Sequence, residues 1–241
     1  MPNKIIPSLY DHLKNTEKKL KIICDWDEVI QALEPYALWL TTIAKEPSFR
    51  HLRHYFESFW NADFLEYSPY NSKIKEKPNE PDFKELRNRQ QEIKISSNFY
   101  QHAPFLTIAE DLLRLIRENR IEKLIFLTAC DKRYFSDGED RRKQQIFKET
   151  FGKFSQCSLQ FIVFDSETQG ADKVDWIKEN ASDFDIVIDD NPNICKNAIE
   201  IDPGITALAP YYPAIESQHY EKVLLARIEI SDLRKEHFMF F

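Results

Sequence analysis

Lys21-Ile22-Ile23-Cys24-Asp25-Trp26-Asp27-Glu28-Val29-Ile30 is the stretch on which the fold turns. A strand apolar on both faces belongs in the middle of a parallel sheet, covered by helices above and below. This one runs directly into Asp25 and Asp27. A second run of the same kind, Phe184-Asp185-Ile186-Val187-Ile188, ends in Asp189-Asp190. In open α/β sheets, ligands bind at the carboxyl ends of such strands. Acid clusters at two of these ends can share one hard cation, which takes oxygen ligands. Without something positive between them they would repel one another. The pattern points to a Mg²⁺-dependent site.

Working outward, strands are expected over 20–25, 123–128, 159–164, 185–189 and 206–209. Helical periodicity separates most of them, at 108–119, 139–151 and 171–180. Strand–helix alternation implies a parallel sheet with right-handed crossovers. One interval breaks the rhythm. Roughly a hundred residues separate the first two strands, far more than a βα connection needs. Within it, 32–45 and 49–64 read as amphipathic helices, 73–81 as a charged, Pro-containing link, and 83–99 as a further helix. The expected organisation is an α/β core of residues 1–30 and 104–241 with a helical cap inserted over 31–103. The stretch 222–241 reads equally as an added strand or a helix.

Composition narrows the function classes. The chain of 241 residues is 42% hydrophobic with 18 Phe, 10 Tyr and 4 Trp, enough for a real core. Its net charge of −7 counts against binding nucleic acid through an overall field. No apolar stretch approaches the roughly 20 residues that span a bilayer, and residues 1–21 are too polar for a signal peptide. Cys24, Cys130, Cys157 and Cys195 lack paired spacing and read as reduced thiols of a cytoplasmic protein. With only 4 glycines there is neither a P-loop nor a dinucleotide fingerprint. Phosphate, if handled, is handled by a metal and side chains.

These elements together resemble the haloacid dehalogenase-like (HAD) superfamily. An apolar strand ends in Asp25-Trp26-Asp27-Glu28-Val29, a second ends in Thr128, Lys173 heads a helix, and a further strand ends in Asp189-Asp190. They fit the four motifs of that family in its order, over residues 20–30 and 104–210. The inserted module sits where the family places a type 1 cap. Ile188-Asp189-Asp190-Asn191-Pro192-Asn193 also looks like the fourth motif of the 5′(3′)-deoxyribonucleotidase branch.

The resemblance implies a Rossmann-like core and a role for each matched residue. Asp25 would be the nucleophile that becomes an aspartyl-phosphate. Asp27 would protonate the leaving alcohol and then activate water. Thr128 would bind a phosphoryl oxygen, and Lys173 would hold Asp25 and offset transition-state charge. Asp190, with Asp189 as a direct or supporting partner, would hold Mg²⁺ together with Asp25 and the backbone carbonyl of Asp27. Lys143 competes with Lys173 for the active-site lysine but lies inside a helix rather than at its start. The sequence departs from the family pattern at Glu28, where Gly is frequent, and at Ala129, where a small polar residue or Gly is. The dehalogenase branch lacks an acid at the position of Asp27, so its presence favours phosphatases and phosphomutases.

Each element also has a plainer reading. Asp-Asp-Asn-Pro-Asn is a good turn and helix start without any metal. Thr128 could simply end a strand, Lys173 could be a solvated first-turn residue, and Arg141-Arg142-Lys143 reads as a solvated face. In 49–70, eight aromatics accompany Arg50, His51, Arg53 and His54. They form either a lid that stacks a ring or, as favoured here, the core of the cap itself. The expected function is a Mg²⁺-dependent phosphomonoester hydrolase acting on a small phosphorylated metabolite, with nucleoside monophosphates favoured. The competing readings are a non-catalytic HAD-like binding or assembly protein, and a phosphatase for nucleic-acid ends or proteins. Oligomeric state and physiological role have no signature in the sequence.

Overall fold

Seven parallel strands form one sheet in the order β1-β7-β6-β5-β2-β3-β4. This is a computed structural model. It describes residues 5–33, 36–37, 40, 88–89, 92–94, 99–130, 139–165, 171–211, 222–229, 231 and 233. The strands are β1 (Ile5–Ile6), β2 (Leu20–Asp25), β3 (Ile121–Cys130), β4 (Ser158–Asp165), β5 (Ile186–Ile188), β6 (Thr206–Tyr211) and β7 (Leu224–Arg227). The helices are α1 (Leu9–Leu13), α2 (Phe99–His102), α3 (Thr107–Arg117), α4 (Glu139–Thr150), α5 (Ala171–Asn180) and α6 (Pro192–Ile201). The architecture is the Rossmann-like α/β class read from the sequence, with β2 inside the sheet between β5 and β3, as its two apolar faces require.

Register carries the two acid clusters to one edge. Cys24 lies opposite both Phe126 of β3 and Ile188 of β5, so Asp25 and Asp189 leave neighbouring strands at the same level. Beneath them the core is aromatic. Trp26 is fully buried and meets the rings of Phe126, Phe151 and Phe161 edge-on, with centroids 5.3, 6.3 and 5.2 Å away. Helix α3 buries Ile108, Leu112, Leu115 and Ile116 on one side, and Asn119 ends its run in a left-handed conformation at φ 57°.

Two elements were not expected. Strand β1 and helix α1 precede the core, with Ser8 capping α1 by accepting from the Asp11 N–H. Helix α1 is tied to α3, where the Tyr10 hydroxyl donates to Glu118 at 2.9 Å and the Arg114 guanidinium lies 3.6 Å over the Tyr10 ring. Within the ambiguous stretch 222–241, the described residues hold β7, a strand seated between β6 and β1.

The expected cap of residues 31–103 lies almost wholly outside the described residues, as does the aromatic segment 49–70 with His51 and His54. Those described at 33, 36–37, 88–89, 92–94 and 99–102 are helical. Where the chain departs and returns is well described. Ala32 donates to the Pro104 carbonyl and Leu106 to the Ile30 carbonyl, both at 2.9 Å. Gln31, with no exposed surface, accepts from the Trp26 indole at 2.9 Å and donates to the carbonyls of Tyr100 and Ala103 at 3.0 and 3.1 Å. Both crossings are therefore pinned together beside β2. Among the described residues, no helix is long and apolar enough to cross a membrane.

Candidate active site

The site begins with the turn after β2. Trp26 dives into the core while Asp25 and Asp27 flank it. The chain then doubles back through Ile30 N–H to Trp26 O at 2.9 Å and Glu28 N–H to Gln31 O at 2.9 Å. Glu28 takes φ 59°, the left-handed region that favours glycine. A Gly would take this conformation freely, whereas Glu28 holds it at a cost of roughly 1–3 kcal/mol. Burial pushes the Glu28 carboxyl up to about 8; Lys94 opposes this, while Asp27 and Asp25 add to it.

Asp25 is held at both oxygens. Oδ1 accepts the Trp26 N–H at 2.7 Å, and Oδ2 lies 3.0 Å from Lys173 Nζ. Burial raises its carboxyl to about 7, the charges of Asp189 and Asp27 add to that, and Lys173 pulls the other way. Lys173 comes from the first turn of α5 and is buried, not solvated. It bridges to Asp189 Oδ2 at 2.5 Å. Burial would lower its ammonium, but Asp189 and Asp25 outweigh it and hold the group above its ordinary range.

Asp189 and Asp190 follow β5. The second oxygen of Asp189 accepts the Asn191 N–H at 2.9 Å, and Asn191 caps α6 by accepting the Asn193 N–H at 2.9 Å, with Pro192 opening the helix. Helix start and acid pair are thus one device: the cap that begins α6 also orients Asp189. Asp190 is pushed well above the carboxylate range, first by burial and then by Asp189, Asp25 and Glu28.

Each of Asp25, Asp189 and Asp190 offers a carboxylate oxygen, all within 4.8 Å of one another. Against three carboxyls stands one ammonium, Lys173, which leaves two negative charges when all are ionised. An all-oxygen donor set with that surplus fits a hard divalent cation.

Asp27 does not join this trio. Its oxygens are both 2.8 Å from Lys143 Nζ, which also donates to Thr128 Oγ1 at 3.1 Å and the Ala129 carbonyl at 3.2 Å. Thr128 is fully buried, and its hydroxyl donates to Asp27 at 3.4 Å. The expectation that Arg141-Arg142-Lys143 is a solvated face is corrected at Lys143, which is 1% exposed. The reason was legible. Lys143 sits three and four residues before Ile146 and Phe147, on the side of α4 that packs inward. The two competing lysines are both at the site, Lys173 on Asp25 and Asp189 and Lys143 on Asp27.

No protein-family model and no curated protein sequence matches the chain. Among solved structures, it is similar to a dehalogenase at 13% identity and TM-score 0.47, covering 88% of this chain and 93% of that one. It is also similar to a Bacteroides vulgatus protein assigned as a beta-phosphoglucomutase, at 13% identity and TM-score 0.41, covering 90% and 88%. Likeness at this level bears on neither reaction nor substrate. Those rest on the residues.

Proposed function

We propose that this chain is a Mg²⁺-dependent phosphomonoester hydrolase of the HAD type, working through an aspartyl-phosphate on Asp25. The observation that carries the reading is the division of four acids into two differently held groups at one sheet edge. Asp25, with 12% of its side chain exposed, pairs with Lys173 beside the Asp189–Asp190 pair, and Asp27 stands apart on Lys143 with 37% of its side chain exposed. A nucleophile must be fixed and its charge managed, whereas an acid–base residue must reach a leaving group and water.

In the first step an Asp25 oxygen bonds to phosphorus, the ester P–O bond breaks, and Asp27 gives its proton to the departing alkoxide. In the second, Asp27 takes a proton from water, whose oxygen attacks phosphorus and returns Asp25 as carboxylate with inorganic phosphate. Lys173 keeps Asp25 in place and offsets the charge that gathers on the phosphoryl oxygens. Asp25, Asp189 and Asp190 would hold the cation, which when bound supplies further charge stabilisation for the phosphoryl group. Thr128 would turn its hydroxyl proton from Asp27 to a phosphoryl oxygen while still accepting from Lys143.

The substrate in this reading is a small phosphorylated metabolite, with a nucleoside monophosphate favoured by the likeness of residues 188–193 to a deoxyribonucleotidase motif. Four free cysteines support a reducing, cytoplasmic setting. Hydrolysis of p-nitrophenyl phosphate with millimolar Mg²⁺, its loss in EDTA and its absence from Asp25→Asn test the reading, and a panel of phosphorylated metabolites would then find the substrate. An inert wild-type protein across that panel would favour a binding or assembly role instead.

A further inference from the structure

The mechanism above uses one lysine, yet the site contains two. Lys143 is the larger anomaly, because a buried ammonium costs several kcal/mol unless its partners are well placed. Its three N–H donors are shared among four oxygens: Oδ1 and Oδ2 of Asp27, Oγ1 of Thr128 and the carbonyl of Ala129. Its Nζ also lies 5.5 Å over the ring of buried Tyr100 in α2. A lysine so committed has no donor left for a substrate phosphate. Its geometry serves something already in the protein.

That something is the carboxylate of Asp27. Asp27 is partly exposed, and the side chains that hold its carboxylate are Lys143 and Thr128. Lys143 grips both of its oxygens and ties them to the end of β3 through Thr128 and Ala129. The ammonium itself rides on α4, whose neighbouring side chains Ile146 and Phe147 are packed in the core. We infer that Lys143 is a positioning residue that sets the Asp27 carboxyl against the leaving-group oxygen, acting through Asp27 and not on the phosphoryl group. The inference rests on the hydrolase reading. It adds a second lysine, supplied by the helix after β3, whose task is orientation of the acid–base group.

A residue that acts by aiming an acid matters most when the leaving group needs a proton. The test compares p-nitrophenyl phosphate, whose phenolate leaves readily, with phenyl phosphate, whose phenolate does not. Lys143→Met should lower kcat on phenyl phosphate at least about tenfold and affect p-nitrophenyl phosphate less, with KM within about twofold for both. Lys143→Arg should restore part of the loss. In an Asp27→Asn background, adding Lys143→Met should change the rate by no more than about twofold, because the group it positions is gone. Far-UV CD and the Mg²⁺-dependent rise in melting temperature should match wild type, separating this role from loss of fold or of the cation site. An equal loss on both substrates, or multiplicative effects in the double variant, would overturn the positioning role while leaving the hydrolase reading standing. A wild type inert on both substrates would overturn the hydrolase reading, and this role with it.

Discussion

Removing the proposed nucleophile should make the metal-free protein more stable. Burial and neighbouring charges raise the Asp25 carboxyl from 3.8 to about 7 in the folded protein. Between about pH 4 and 7 the folded state keeps a proton that the unfolded chain has released. Stability therefore falls as pH rises through that window and stays low above it. At roughly 1.4 kcal/mol per pH unit, the loss is on the order of 4 kcal/mol. Asn in place of Asp25 is a permanent stand-in for the protonated acid, so Asp25→Asn should not suffer it. Lys173 keeps Asp189 as its partner. In EDTA, melting temperatures of wild type and Asp25→Asn should coincide near pH 4. They should then separate in favour of the variant, by on the order of 10 °C at pH 8, using about 2–4 °C per kcal/mol for a chain of this size. Millimolar Mg²⁺ at pH 8 should raise wild type and narrow the gap, while the variant responds little. Turnover by the variant should be absent throughout. A variant less stable than wild type at pH 8, or a gap that does not change with pH, would refute the account of a like-charged, cation-seeking site.

Three further outcomes follow from the geometry. Asp27→Asn should cost roughly 10²–10⁴ in rate while Mg²⁺ and beryllofluoride still bind in calorimetric titrations, because Asp27 stands outside the carboxylate trio. Asp190→Asn should sharply raise the Mg²⁺ concentration needed for half-maximal activity; an unchanged Mg²⁺ requirement would remove Asp190 from the ligand set. Gln31→Leu takes away the partner of the buried Trp26 indole N–H and a donor from the carbonyls of Tyr100 and Ala103, and should cost about 2–4 kcal/mol in urea unfolding at unchanged m-value.

Strands apolar on both faces, punctuated by acids, were enough to read the sheet, because burial on two sides leaves no polar positions to confuse the period. The same logic placed Asp25 and Asp189 on one edge; Lys173 came only from the family resemblance, because a lysine in the first turn of a helix carries no burial signal of its own. Strand β1 escaped because two residues, Ile5 and Ile6, carry no periodicity at all. Strand β7 was ambiguous because four residues with Arg227 at the end fit a helix turn as well as a strand. Lys143 was misplaced for a different reason. Three consecutive cations look like a wet surface, and only their phase against Ile146, Phe147 and Phe151 shows that the third turns inward.

The position of β2 has a kinetic consequence. Strands β3 and β4 are near neighbours in sequence, with Lys123 paired to Ser158, and their rings Phe126 and Phe161 both meet Phe147 of the intervening helix α4, the first edge-on and the second stacked. Strand β2 must instead find β5 across 164 residues, the separation between Lys21 and Asp185 where its backbone N–H meets that carboxylate. Loop closure over such a span is slow relative to hairpin-scale events. Separation along the chain favours early pairing of β3 with β4 and late entry of β2 between β3 and β5. Its arrival first confronts Asp25 with Asp189 and Asp190. If β2 docks after the rate-limiting step, the penalty of the acid trio falls on the native state alone, and Asp25→Asn in EDTA at pH 8 should slow unfolding while leaving the folding rate unchanged.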